Sequence, residues 1–324
     1  MDKVVAIPYR TRDHGTFDEE WGCHRKSSEW WYATGYFNND AGTLYSYQFT
    51  LIRTPLLCLT PNLLMLALTD FATGQHIYSQ QVTLTSRDIT IDGHTVQFGD
   101  VAKVAKDAQG LHLAVRRKDF ALDLTLAYGK GACWHCDNGV LRMGVDRPRE
   151  TTLYFSYTNM PTSGTLSLHG GAACAVRGKS WFDKQGGPYS ILNRKTHWEW
   201  FSLRFFDDEE LMLFTFPQDG YQDGTFVPRT GHAKRLTEYS VRPLGWVTIN
   251  GCRFSSGWSL DVPGLKDAHY TIRPLMPGQV NLSYCEQLAD IYNAQEERVG
   301  LCFVELLPGV YNKRYPIRMF ASVK

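Results

Sequence analysis

The chain has no run approaching the ~18 consecutive apolar residues of a membrane-crossing helix. Its first residues, Met1-Asp2-Lys3-Val4-Val5-Ala6-Ile7-Pro8, lack the apolar core of a signal peptide. A cytoplasmic protein with no membrane span is the expectation. Charge of one sign is also lacking: 34 Lys and Arg face 33 Asp and Glu, for a formal net charge of +1. That balance gives no reason to expect nucleic acid or an anionic membrane, so the expected partner is a neutral or hydrophobic small molecule. There is no Gly-x-Ser-x-Gly elbow, no Walker-type loop and no Gly-x-Gly-x-x-Gly opening a helix, and with them go the serine hydrolase, kinase and dehydrogenase readings. No cofactor is expected. Cys23, Cys58, Cys133, Cys136, Cys174, Cys252, Cys285 and Cys302 are scattered, several within apolar runs, which fits free buried thiols better than a disulfide framework. Cys133-Trp134-His135-Cys136 is a lone Cys-x-x-Cys without the second spaced pair that a four-ligand zinc site uses, so no metal site is expected.

Helical periodicity is scarce. The charged run Gln295-Glu296-Glu297-Arg298 reads as a hairpin loop rather than a helix cap. Aromatics make up 13% of the 324 residues and fall in alternating stretches such as Leu122-Asp123-Leu124-Thr125-Leu126. A period of two belongs to half-buried strands. Turn signals, among them Asp92-Gly93, Asp219-Gly220 and Asn250-Gly251, separate these stretches. Together they predict an all-β chain of antiparallel meanders that close into barrels or sandwiches and so remove exposed edges. The length suggests two domains.

The most informative stretch is Glu29-Trp30-Trp31-Tyr32. On a pleated strand Glu29 and Trp31 point one way and Trp30 and Tyr32 the other, offering bulky aromatics to two environments. Asp13-His14-Gly15 precedes it, and Tyr45-Ser-Tyr-Gln-Phe-Thr-Leu-Ile-Arg53 and Leu66-Ala-Leu-Thr-Asp70 follow. Further on come Thr162-Ser163-Gly164-Thr165-Leu166, Gly178-Lys179-Ser180-Trp181-Phe182-Asp183, Trp198-Glu199-Trp200-Phe201 and Gly300-Leu-Cys-Phe-Val-Glu305-Leu306. In this order the blocks resemble the AttH and carotenoid 1,2-hydratase (CrtC-like) family along nearly the whole chain. The resemblance implies two lipocalin-like antiparallel β-barrel or sandwich domains packed together, residues 1–160 and 161–324. It also implies an activity among hydratases and natural-product cyclases, including Diels–Alderases.

Strand parity puts Trp181 and Asp183 on one face, where an indole beside a carboxyl group could keep it protonated near neutrality and able to donate to an alkene or carbonyl. The competing reading has Asp183 opening the turn Asp183–Pro188 and capping backbone donors. After this Asp the family pattern continues His-Glu-Trp-Gly, whereas this chain has Lys184-Gln185-Gly186-Gly187. Trp198 and Trp200 share a face opposite His197 and Glu199, either as an aromatic wall or as barrel core. Glu29 is either a cavity acid or the partner of Arg53 or another cation across strands. Gln48 alternates with Tyr47 and Phe49 and could orient a ligand. Tyr284-Cys285-Glu286 resembles the family's Tyr-Trp-Glu-Gly block and sets Tyr284 and Glu286 on one face.

The sequence therefore nominates Asp183, Trp181 and Tyr47 for chemistry, and Glu29, Trp31, Gln48, Trp198, Trp200 and Tyr284 for substrate binding. The expected function is cofactor-independent cyclisation or isomerisation of a hydrophobic polyketide or terpenoid, since holding a flexible chain folded lowers the entropic barrier without the missing His-Glu pair. Hydration of a polyene and non-catalytic carriage of an apolar metabolite are the alternatives.

Overall fold

Alternating apolar residues at period two cannot bury themselves on a helix, and the chain answers with strands almost throughout. A computed structural model describes residues 3–11, 13–55, 59–144, 149–189, 197–217, 220–281 and 284–307. The only helix among them is the single turn Glu19–Trp21. The described residues up to Trp134, with those from Arg149 to Tyr189, form one compact unit; those from His135 to Gly144 and from His197 onward form another. Residue 160, where the sequence reading sets the divide, lies inside the strand Thr151–Leu168, so the units part on either side of that strand and its partner.

The first unit is a curled, almost wholly antiparallel sheet. Out to one end it runs Phe120–Ala127, Thr151–Leu168, Cys174–Gly187, Ser28–Asn39, Leu44–Arg53, Asn62–Asp70 and Gln75–Thr83, each bonded to the next. The long hairpin of Thr151–Leu168 with Cys174–Gly187 pairs Leu153 with Gly186 and Leu166 with Cys174, and one bulge interrupts it between Tyr157 and Met160. One face of the sheet carries the core, in which Trp31, Phe37, Tyr47, Phe49, Leu66 and Phe182 are buried. The second unit repeats the plan with Glu210–Phe216, Trp198–Phe205, Arg298–Leu307, Tyr284–Asn293, His269–Pro274, Cys252–Asp261 and Ser240–Ile249. Its core gathers Phe201, Leu203, Phe254, Trp258, Ala289 and Val304.

Local signals explain the turns. Asn250 and Gly251 both have positive φ and join Ile249 to Cys252, the two-residue connection that the right-handed twist of a hairpin favours. Gln295 to Glu297 form the loop between two paired strands, with Glu296 in the left-handed region. Asp219 lies outside the described residues. The proposed turn at Asp183–Pro188 does not form: Asp183 is mid-strand, and the strand continues to Gly187 because Lys184, Gln185 and Gly186 all find register partners on both sides. The described cysteines are free thiols; Cys133 and Cys174 are only partly buried, and Cys58 lies outside the described residues. No helix among the described residues is long and apolar enough to cross a membrane.

Candidate functional site

The parity predicted for Ser28–Asn39 holds. Glu29 and Trp31 face the first unit's core, and Trp30 and Tyr32 lie on the opposite face. Glu29 is fully buried and sits between the Lys184 ammonium and the His24 imidazole. Lys184 Nζ donates to Glu29 Oε2, while the backbone and ring nitrogens of His24 each lie 2.9 Å from Oε1. His24 Nε2 is 2.5 Å from Glu20 Oε2, and Glu20 also accepts from the Gly15 amide at 2.8 Å. Burial opposes charge on Glu29, but Lys184 and His24 outweigh it and hold the carboxyl below its ordinary range. Burial likewise opposes charge on His24, and the bonds to Glu20 and Glu29 overcome it, raising the imidazole's pKa. A Cβ at Gly186 would lie 1.8 Å from Glu29 Oε2, so only glycine leaves room for this carboxylate. The expected cross-strand cation exists, but it is Lys184. Arg53 is the register partner of Glu29 without being its ion pair.

Asp183 and Trp181 stand on the face turned away from that core. Trp181 Nε1 donates to Asp183 Oδ1 at 2.5 Å, and Ser156 Oγ donates to the same oxygen. Gln48 donates to Thr50 on this face. Tyr47 belongs to the other side: its hydroxyl meets Ser180 Oγ at 2.7 Å inside the core, and Gly35 makes space for its ring, since a Cβ there would come within 2.5 Å of Tyr47 Cε1. The three residues nominated for chemistry are thus split, with Asp183 and Trp181 together and Tyr47 behind the sheet.

The second unit holds a carboxyl group that the sequence reading did not single out. Glu305 lies on Arg298–Leu307 between two facing strands, opposite Trp200 on one side and Glu286 on the other. Trp198 Nε1 donates to Glu305 Oε1 at 2.5 Å, and the Tyr284 hydroxyl also bonds the carboxyl group. Burial dominates here, and because both partners are neutral they only moderate it; the pKa is pushed up to about 7. Trp198, Trp200, Tyr284 and Glu286 share this face, turned away from the second unit's core and buried nonetheless. Trp198 and Trp200 are therefore not part of that core. The sequence signal was available: Glu305 is the one carboxylate in the otherwise apolar run Leu301–Leu307.

Glu199, on the core side, accepts from Ser255 Oγ at 2.6 Å, and burial raises its pKa. With His197 and Phe254 it lines a cavity of about 10 Å³, enough for one water molecule. His135 is buried, and desolvation lowers its pKa to about 3. Cys133 and Cys136 fall in different units.

The sequence profile of the AttH-like family matches residues 9–309. No curated protein sequence matches the chain. Among solved structures, an AttH protein from Nitrosomonas europaea aligns with a TM-score of 0.83 at 21% identity, covering 94% of this chain and 100% of that one. Kievitone hydratase from Nectria haematococca gives 0.67 at 16% identity over 86% and 88% of the two chains. CghA, solved with Sch210972, gives 0.55 at 10% identity over 94% and 95%. At such identities the likeness speaks to the fold.

Proposed function

Because this chain belongs to the AttH-like family, we propose that it is a cofactor-independent enzyme acting on a lipophilic small molecule, with the Glu305 carboxyl group as its acid. The observation that carries this reading is the setting of Glu305: buried, bonded by Trp198 and Tyr284, and titrating at about 7. An acid whose pKa matches the working pH is populated in the protonated form and still gives up its proton readily. Trp198 and Tyr284 both bond the carboxyl group and so fix its position for transfer. A proton delivered to a carbonyl or alkene leaves cationic character on the substrate. An indole face next to it lowers that energy by about 0.5–2 kcal/mol per ring, and Trp198 and Trp200 supply two such faces.

Cyclisation or isomerisation of a polyketide or terpenoid is the first reading, because a wall of aromatics that holds a flexible chain folded removes much of the entropic barrier. Hydration is the second, favoured by the structural likeness to kievitone hydratase. The alternative acid is Asp183 of the first unit, which accepts from Trp181 and Ser156.

The test is metabolite profiling of the source organism with this gene deleted and then complemented by the wild-type chain, Glu305→Gln or Asp183→Asn. An accumulated precursor isomeric with the lost product identifies a cyclase or isomerase; one differing by a water identifies a hydratase. Full rescue by Glu305→Gln and failure by Asp183→Asn would move the acid to the first unit. Unchanged structures with altered amounts would leave only a carrier.

A further inference from the structure

Glu286 and Glu305 are direct register partners on antiparallel strands. Directly opposed residues carry their Cβ atoms about 4.5–5.5 Å apart on the same side of the sheet, so both carboxyl groups project from one small patch. Both are buried, at 2% and 8% exposure. Two carboxyl groups this close in a desolvated setting do not ionise independently: the first to lose its proton raises the cost for the second. We propose that Glu286 and Glu305 act as one acid–base pair, Glu305 giving a proton to one atom of the substrate while Glu286 takes a proton from another. This rests on the reading of Glu305 as the acid and deepens it, because a paired acid and base define a reaction class.

The step balances within the pair and the substrate. Glu305 O–H breaks as its proton goes to the carbonyl oxygen of an unsaturated ketone or to the terminal carbon of a conjugated alkene. A C–H bond next to the unsaturated system breaks, its proton goes to Glu286, and its electron pair becomes the relocated double bond. The product is an isomer of the substrate, with no oxidant, reductant or water consumed. The pair then holds its proton on the wrong member, and transfer from Glu286 back to Glu305 resets it. The substrate class is thus a lipophilic molecule with an acidified C–H conjugated to a carbonyl or diene.

The neighbours on the same face support this division of labour. Trp198 and Tyr284 bond Glu305. Further along the strand Trp198–Phe205 the face carries Arg204, whose register partner on Glu210–Phe216 is Glu210. Arg204 and Glu210 thus oppose one another in register at a separate position, and the register partners of like charge are Glu286 and Glu305.

The experiment is carboxyl-selective carbon-13 NMR titration of the full chain labelled at glutamate, for the wild type, Glu286→Gln and Glu305→Gln. It needs no substrate. Coupling is reciprocal, so Glu286→Gln should lower the Glu305 midpoint by a pH unit or more, and Glu305→Gln should lower that of Glu286 by a matching amount. If either replacement leaves the other midpoint in place, the pair does not exist, whatever the metabolite profile of Glu305→Gln shows. If coupling is present but Glu305→Gln restores all products in vivo, the acid reading fails and the pair has no chemistry to do. Should a variant not fold, the wild-type Glu305 signal answers: two titration steps support coupling and a single-site curve overturns it.

Discussion

Glu29 and Glu305 are both glutamates on central strands, both buried, each with more than one hydrogen-bond donor. They differ in the charge of those donors. Glu29 meets Lys184 and the imidazole of His24, and its proton affinity falls; Glu305 meets an indole and a phenol, and its affinity rises. The comparison separates a carboxylate held as an anion by its partners from a carboxyl group that can exchange a proton at neutral pH.

The comparison breaks most visibly at Lys184. Lys184→Met leaves Glu29 buried without its main counter-charge, and removal of one partner of a buried pair costs roughly 3–5 kcal/mol. Urea denaturation at neutral pH should show that loss, whereas Glu305→Gln should cost little under the same conditions, since Gln keeps an acceptor for Trp198.

The two groups should next give pH slopes of opposite sign. Glu29 has a lowered folded pKa, so its stabilisation is present above the unfolded value near 4.5 and is lost as pH falls through the folded value. Glu305 has a raised one: between about 4.5 and 7 the folded state holds the proton that the unfolded state has released, and stability declines as pH rises across that window. A value of about 7 in the folded state against one near 4.5 in the unfolded state corresponds to roughly 3 kcal/mol. Denaturation across this range should show the decline in the wild type and its absence in Glu305→Gln, and equal slopes in the two proteins would refute it.

Trp198→Phe sharpens the contrast on a smaller scale. The indole N–H favours the ionised carboxyl, so its loss should move the Glu305 titration above 7 and cost about 1–2 kcal/mol, read by NMR titration and thermal denaturation. Tyr47→Phe is the smallest and the control: it removes the bond to Ser180 for about 1 kcal/mol and should leave the Glu305 titration unmoved.

Much of this was legible in the sequence where it depended on parity. The alternation through Glu29–Tyr32, Trp181–Asp183 and Trp198–Trp200 gave the right faces, because the period of a strand is fixed by its own backbone. Parity does not say which strand lies alongside. Tyr47 and Asp183 sit on opposite faces because Tyr47 shares its row with Gly35 and Ser180, a register set by Ser28–Asn39 standing between distant segments. The sequence offers Arg53 or another cation across strands as the partner of Glu29, and parity alone does not choose between them; the partner is Lys184, at the position where the chain departs from its family's pattern. Glu305 was passed over because a carboxylate gains its meaning from neighbours such as Trp198, 107 residues away.

That same separation governs how the chain is put together. Ser28–Asn39 finds one neighbour at once in Leu44–Arg53, but its other neighbour is Cys174–Gly187, and Lys184 and Glu29 are 155 residues apart. Closing so long a loop carries its entropic cost before any contact repays it, which places this seam late in folding. On a ribosome, the early meander from Ser28 to Thr83 must wait with one strand edge open until residue 187 has emerged. Until then, Glu29 has no Lys184, and the buried pair becomes a latch that shuts only on a finished unit.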